Sequence, residues 1–257
     1  MMNVVHSPRS VKKLFINPPY VIPTWKRAID LACCLVALPF LCLITVLATV
    51  VLNLTSPGPV FFRQERVGYK GKRFMCFKFR TMHVGADTKS HQAYLNGLQG
   101  SNAPMVKLDA KGDARLISGG WLLRATGLDE LPQIINVIRG EMSIVGPRPC
   151  IPYEYERYEA WQRKRFNAVP GLTGLWQVSG KNRTTFDEMI RLDIRYSETS
   201  SFWLDSRIIF MTVPALLVQL ADTRRARRAQ AQAHAERSIF LPPSESAVKR
   251  STQTAIF

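Results

Sequence analysis

The run LACCLVALPFLCLITVLATVVL, residues 31–52, constrains this chain more than any other stretch. It contains no charge, and the uncharged segment continues to Phe62. As a straight helix it would be about 33 Å long, enough to cross the hydrocarbon of a bilayer. It is too long for the apolar part of a signal peptide, and no small-x-small cleavage site follows it. Two features complicate a simple span. Pro39 removes a backbone donor and crowds the preceding turn, which predicts a kink. Both flanks are basic: Lys12, Lys13, Lys26 and Arg27 precede the run, and Arg63, Arg66, Lys70, Lys72 and Arg73 follow it. Positive charge on both sides holds both ends on the cytoplasmic face. A re-entrant helix over 24–56, bent at Pro39 and returning to the same leaflet, satisfies both features. A kinked single span is the simpler alternative.

The rest of the composition narrows the partners. Among 257 residues, 35 are Lys or Arg and 19 are Asp or Glu, a formal net charge of +16. An excess of that size calls for an anionic partner: nucleic acid, an anionic lipid surface or a phosphorylated substrate. Nucleic acid is disfavoured, because no zinc finger or RNP1-like string occurs and the basic residues alternate with apolar membrane features. The five cysteines include no CxxC pair, and three lie in the apolar run, which argues for a reducing compartment rather than a disulfide framework. The four histidines are scattered, without zinc-ligand spacing.

Downstream, the predicted architecture is α+β, mostly helical and membrane-associated. Residues 1–23 form a basic N-terminal segment, 57–222 a cytoplasmic domain, and 223–257 a basic tail that is disordered or touches the membrane. The turn Ser56-Pro57-Gly58-Pro59 leads into a small β-hairpin over 60–79, around Gly68–Gly71. Residues 84–112 read as a polar, partly helical excursion. Leu131, Ile134, Ile135 and Ile138 recur at helical spacing, with Gly140 suited to the helix end. A short strand in EMSIVGPRPCIP runs into a proline-rich loop. Charged or amphipathic helices are expected over 153–169 and 186–198. In 202–221 the uninterrupted apolar part is about 14 residues, short for a span, so an interfacial or core helix is expected.

The most pointed local feature is the pair Asp129-Glu130 in RATGLDELPQIINVIRG. One reading makes Asp129 a helix N-cap followed by a tolerated proline. The other is chemical. A carboxylate at a helix N-terminus is stabilised as the anion, and Arg124 nearby reinforces that. An ionised carboxylate can attack an electrophile, and its neighbour can move a proton or bind Mg²⁺. Two carboxylates at about 4 Å repel by roughly 4 kcal/mol at an effective dielectric of 20, so a cation between them would relieve strain.

The motifs KRAIDL, SPGPVFFRQERVG, FKFRTM, LLRATGLDELPQIINVIRGEMSIVGPRP and PGLTGLWQVSGKN stand in order over roughly residues 24–216. In this the chain resembles the monotopic phosphoglycosyl transferases, bacterial sugar transferases of the short type that starts exopolysaccharide units. The resemblance implies transfer of hexose-1-phosphate from a UDP-hexose to polyprenyl (undecaprenyl) phosphate at the cytoplasmic face of the bacterial inner membrane, with release of UMP. Asp129 matches the family's nucleophile and Mg²⁺ ligand, and Glu130 its catalytic partner. Arg124 and the loop Pro147-Arg148-Pro149 match positions that hold phosphate or nucleotide. Lys78, Arg80 and Lys181 are further substrate-binding positions, although Lys78 and Arg80 equally suit a solvated hairpin face. Anionic membrane lipids are expected partners, and a homo-oligomer is compatible with the sequence. The alternative function is an inactive membrane scaffold of a polysaccharide-synthesis complex. Three departures stand out: Ala125 and Gly127 replace a Lys and a Ser, GDARLI replaces an Asp-Pro-Arg, and Lys181 replaces an Arg, which removes any bidentate contact there.

Overall fold

The computed structural model describes residues 22–86, 89–98, 101, 103–105, 113 and 115–240. The described chain is mostly helical, with one small antiparallel hairpin and one short parallel strand pair. In order, its elements are α1 (Thr24–Thr55), β1 (Phe61–Val67), β2 (Arg73–Phe79), α2 (Lys89–Leu98), α3 (Gly120–Thr126), a 3₁₀ turn (Leu128–Gln133), α4 (Ile134–Ile138) and β3 (Ser143–Val145). Then follow α5 (Pro152–Glu156), another 3₁₀ turn (Gln162–Asn167), β4 (Gly171–Thr173), α6 (Leu175–Val178), α7 (Phe186–Thr199) and α8 (Phe202–Phe240), with shorter 3₁₀ pieces at Tyr69–Gly71 and Lys181–Arg183.

The apolar run is the middle of α1, which continues as a helix through Pro39. One stripe of it is buried: Lys26, Asp30, Cys34, Leu41, Ala48 and Leu52. Their spacing of four and seven residues keeps them on one face. Cys34, Leu41 and Ala48 share a core with Cys76, Phe79, Ile134, Val137 and Met142. On the other face Leu35, Val36, Phe40, Leu43, Val46, Leu47, Val50 and Leu54 are exposed. Thr45 and Thr49 donate their hydroxyls to the carbonyls of Leu41 and Thr45 within the helix, so the run shows no polar group outward. By length and composition both α1 and residues 202–229 of α8 could cross a membrane.

Both ends of α1 are fastened to the same folded body. Near its start, Lys26 Nζ donates to Asp205 Oδ2 at 2.5 Å, to the Tyr196 hydroxyl at 2.9 Å and to the Val145 carbonyl at 2.8 Å. Arg27 donates to the carbonyls of Val137 and Ile138, where cations suit the C-terminal end of α4. Asp30 accepts from the Ser143 hydroxyl and the Ile144 amide at the start of β3. At the far end, Arg80 grips the turn after α1 through the hydroxyl and carbonyl of Ser56 and the carbonyl of Pro59.

The hairpin pairs Phe61 with Phe79 through to Val67 with Arg73. Its turn places Lys70 (φ 48°) and Gly71 (φ 75°) in the left-handed region, and a Cβ on Gly71 would lie 2.6 Å from the Tyr155 hydroxyl. Besides its apolar contacts, helix α4 is hydrogen-bonded to β2 by one buried side chain. Asn136 accepts from the Phe77 amide at 3.1 Å and donates to the Met75 carbonyl at 2.7 Å, completing backbone groups that a strand edge leaves open.

Strands β3 and β4 run parallel, with Ser143 opposite Gly171 and Val145 opposite Thr173. The chain then passes so near β4 that a Cβ on Gly146 would lie 2.1 Å from the Val169 carbonyl oxygen. That close approach places the Pro147–Pro149 loop. The single helix expected over 153–169 is two short pieces instead. Arg163 takes the Tyr158 carbonyl and Gln162 takes the Glu159 amide, side-chain bonds that compete with helix continuation. Helix α7 starts on a capping box between Thr185 and Glu188. Helix α8 passes Pro214 without ending and takes in the arginines at 224–228.

Candidate active site

Gly127 (φ 74°) ends α3 in the left-handed conformation and starts the 3₁₀ turn that holds the acidic pair. Asp129 and Glu130 both lie in the first turn, so the N-cap position belongs to Gly127 and not to Asp129. Asp129 is 7% exposed. The Glu130 side chain is nearly half exposed and accepts from Lys78 Nζ of β2 at 2.9 Å. An ion pair so open to water contributes under about 1 kcal/mol, so its value lies in placement rather than stability. Leu131, Ile134, Val137 and Met142 seat the following helix in the core with α1 and β2. The acidic pair therefore stands on a rigid support.

Beside it the structure assembles cations from distant parts of the chain. Arg66 of β1 is buried, donates to the Pro149 carbonyl at 3.2 Å and to Gln64 at 2.9 Å, and has an Nε with no hydrogen-bond partner. Burial lowers its pKa, and the charge of Arg148 beside it lowers it further, while Glu154 and Glu130 act the other way. The thiol of Cys76 marks the same place. Burial pushes it up, and it feels the charges of Lys78, Arg66, Glu130 and Arg148. Lys78 is thus paired with Glu130, and Arg66, beside Arg148, lies within electrostatic reach of the same carboxylate. Adjacent guanidinium groups at a buried position form a site that an anion stabilises.

The loop carrying Arg148 is held from behind. Arg165, itself fully buried, donates to the Arg148 carbonyl at 2.8 Å and the Tyr158 hydroxyl at 2.8 Å, and is paired with Asp193. Burial pushes the Asp193 carboxyl up to about 6, against the pull of Arg165. Pro147 and Pro149 are buried, and their carbonyls accept from the Gly171 amide and from Arg66.

The remaining residues singled out from the sequence serve elsewhere. Arg80 is 4% exposed and committed to the turn after α1. Lys181, in the left-handed region (φ 39°), donates to Gln219 Oε1 at 2.7 Å. Arg124 lies in the last turn of α3, with Nη1 3.5 Å from the Thr81 hydroxyl. Gln219 of α8 is 7% exposed and donates to the carbonyls of Arg124 and Ala125 at 3.2 and 3.0 Å. It ties Lys181 and α3 together just ahead of Gly127. Sequence reasoning missed Arg66, Arg165 and Gln219 as parts of this site. Only Arg66 carried a signal, a charge next to the hairpin turn between Gln64-Glu65 and Val67.

Among the described residues, no three His, Cys, Asp or Glu side chains gather as a metal cage. Two adjacent carboxylates are nevertheless a donor set that suits Mg²⁺, which takes one or two protein carboxylates and completes its shell with phosphates and water.

Residues 22–219 match the family model for bacterial sugar transferases. The chain is 40% identical over 195 residues to the galactosyl transferase CpsE of Streptococcus agalactiae, covering 75% of this chain and 42% of that protein. It is 35% identical over 191 residues to the exopolysaccharide production protein ExoY of Sinorhizobium fredii, covering 74% of this chain and 84% of that one. It is 38% identical over 208 residues to the UDP-glucose:undecaprenyl-phosphate glucose-1-phosphate transferase of Caulobacter vibrioides, covering 78% and 72%. The chain thus spans less than half the length of the first relative and most of the other two. With the family model covering most of the sequence, and with an acidic pair set among cations on a helical body, the chain belongs to the bacterial sugar transferase family.

Proposed function

We propose that this protein transfers hexose-1-phosphate from a UDP-hexose to polyprenyl phosphate through a covalent intermediate on Asp129, beginning the assembly of an exopolysaccharide or related glycoconjugate. The observation that carries this reading is a buried Asp129 beside Glu130, with Lys78 paired to Glu130 and with Arg66, next to Arg148, feeling the Glu130 charge. In the first step an Asp129 carboxylate oxygen attacks the sugar-bearing phosphorus. A phosphorus–oxygen bond forms, the bond to the bridging diphosphate oxygen breaks, and UMP leaves with the electron pair. In the second step an oxygen of the lipid phosphate attacks the same phosphorus. The acyl phosphate bond breaks, Asp129 is regenerated, and a polyprenyl diphosphate hexose is released. Glu130 takes the proton from the lipid phosphate, and Lys78 beside it keeps it available as a base.

Phosphoryl transfer asks a protein chiefly for positioning and charge stabilisation. Arg66 and Arg148 supply positive charge where the diphosphate would lie, and the α3–Gly127–3₁₀ geometry aims the nucleophile. When bound at Asp129, Mg²⁺ would neutralise diphosphate charge and relieve repulsion within the acidic pair.

The membrane reading belongs to the same proposal. Both ends of α1 are bound to one body, at Lys26–Asp205 and at Ser56–Arg80, and its outward face is apolar along its length. Such a helix suits re-entrance into one leaflet, with the domain on the cytoplasmic side of a bacterial inner membrane, where nucleotide sugars are made. The two long apolar helices are consistent with membrane association.

Mass spectrometry of protein held with the UDP-hexose donor alone tests the chemistry. A hexose phosphate on Asp129 is the expected result. Asp129→Asn should lose both adduct and transfer, and an adduct on any other residue refutes the assignment. Folded wild-type protein that forms no adduct and transfers none of several UDP-sugars would instead support the inactive scaffold.

A further inference from the structure

The last described part of α8 lies beyond the residues matched by the family model, which ends at 219, and it carries Arg224, Arg225, Arg227 and Arg228. Three contacts fix how this part of the helix is turned. Gln219 reaches the α3 carbonyls, Asp222 pairs with Arg183 at 3.5 Å, and the Arg227 guanidinium lies 4.3 Å from the centre of the Trp121 ring. Arg227 therefore points back at the body. At about 100° per residue, Arg224, Arg225 and Arg228 stand about 120–180° around the helix from Gln219, away from the body, and all three are exposed, as is Arg227 at the margin between the two sides.

That side continues an apolar stripe. Trp203, Phe210, Leu217 and Arg224 follow one another at intervals of seven, and with Arg228 they lie within an arc of about 60°. Trp203 is 79% exposed, Phe210 80% and Leu217 63%. The line from Trp203 through Phe210 to Leu217 is thus apolar, with the exposed Arg207 at its edge, and the face becomes basic between Leu217 and Arg224. A free helix face of this kind fits a boundary where hydrocarbon gives way to phosphate, and clustered arginines on an amphipathic helix match an anionic lipid surface.

We propose that Arg224, Arg225 and Arg228 form a docking face for the phosphates of anionic bilayer lipids. They would hold the second half of α8 at headgroup depth while its first half rests at the apolar boundary. The proposal rests on the membrane placement above but not on the transfer chemistry. Arg227 is excluded from the face, because it is the arginine spent on Trp121.

The test uses the full chain in phosphatidylcholine bilayers containing trace spin-labelled phosphatidylglycerol or spin-labelled phosphatidylcholine, and reads the motionally restricted fraction of each. Wild-type protein should favour the anionic probe, and less so at high salt. The variant R224Q/R225Q/R228Q should lose at least about threefold of that preference, since each surface arginine near anionic lipid contributes about fivefold in affinity. The variant R224K/R225K/R228K should keep it. A glutamine variant with the wild-type preference overturns the proposal. So does a lysine variant no better than the glutamine one, or binding of duplex DNA through these arginines without any lipid preference. Transfer by the glutamine variant in detergent should equal wild type, so a failure here and a failure of the proposed chemistry are told apart.

Discussion

At the scale of single residues, Arg66 separates stability from activity. It is a guanidinium 7% exposed, placed beside Arg148, with Nε unpartnered. Replacing a buried charge with an apolar side chain of similar length is often neutral or stabilising. Arg66→Met should therefore leave the melting temperature within about 3 °C of wild type or raise it. Transfer from UDP-hexose should fall at least about 100-fold, as expected when a charge aimed at the developing anion is removed. A thermal scan and a UMP-release assay on the same sample check both halves. A folded Arg66→Met variant with near wild-type turnover would remove Arg66 from the site. The acidic pair was legible in the sequence because its two members are neighbours. Arg66 was not, because its setting depends on hairpin register and on a proline loop some eighty residues away.

At the scale of elements, α8 acts on the site through Gln219. Its amide donates to the last carbonyls of α3 and accepts from Lys181, whose own backbone is left-handed. Gln219→Glu preserves the acceptor for Lys181 but cannot donate to Arg124 and Ala125. Two nearly buried carbonyls would lose their partner, at about 1–3 kcal/mol each where water cannot replace it. Because these carbonyls precede Gly127 and the acidic pair, we expect kcat to fall about tenfold, corresponding to about 1.4 kcal/mol in the barrier. KM for the UDP-hexose should stay near wild type. A change confined to KM would show that α8 acts on donor binding instead. Little of this could be read from sequence. Pro214 shortens the apparent apolar segment, yet the helix runs on past it to Phe240. Asn136 was hidden likewise, a polar residue in an apolar helix whose partners are the backbone of a strand about sixty positions earlier. The hairpin was legible because the glycines of its turn and the apolar residues flanking it are local signals.

At the scale of the whole molecule, Lys26 joins four separate elements. Its ammonium sits between Asp205 of α8, Tyr196 of α7 and the Val145 carbonyl of β3, although the residue itself lies in the first turn of α1. From the sequence, Lys26 read only as one of several flanking charges, since its partners lie more than a hundred residues away. Lys26→Met would leave Asp205 buried with the Tyr196 hydroxyl still donating to it at 2.7 Å but no cation to pair with it. Removing one partner of a buried pair costs about 3–5 kcal/mol, largely through the charge left behind. The melting temperature of Lys26→Met in detergent should fall well below that of wild type, and the double variant K26M/D205L should recover much of the loss. If the double variant were no more stable than K26M, the ion pair would not be the tie between α1 and α8. The same tie bears on topology. With Lys26 bound to the body at one end of α1 and Ser56 bound at the other, a straight crossing would pull one contact apart. Impermeant thiol labelling of Thr24→Cys and Val84→Cys, in protein whose native cysteines have been replaced, should therefore reach both positions from the cytoplasmic side only. Labelling of position 24 from the opposite side would establish a full span and require the Lys26 contacts to break in the bilayer.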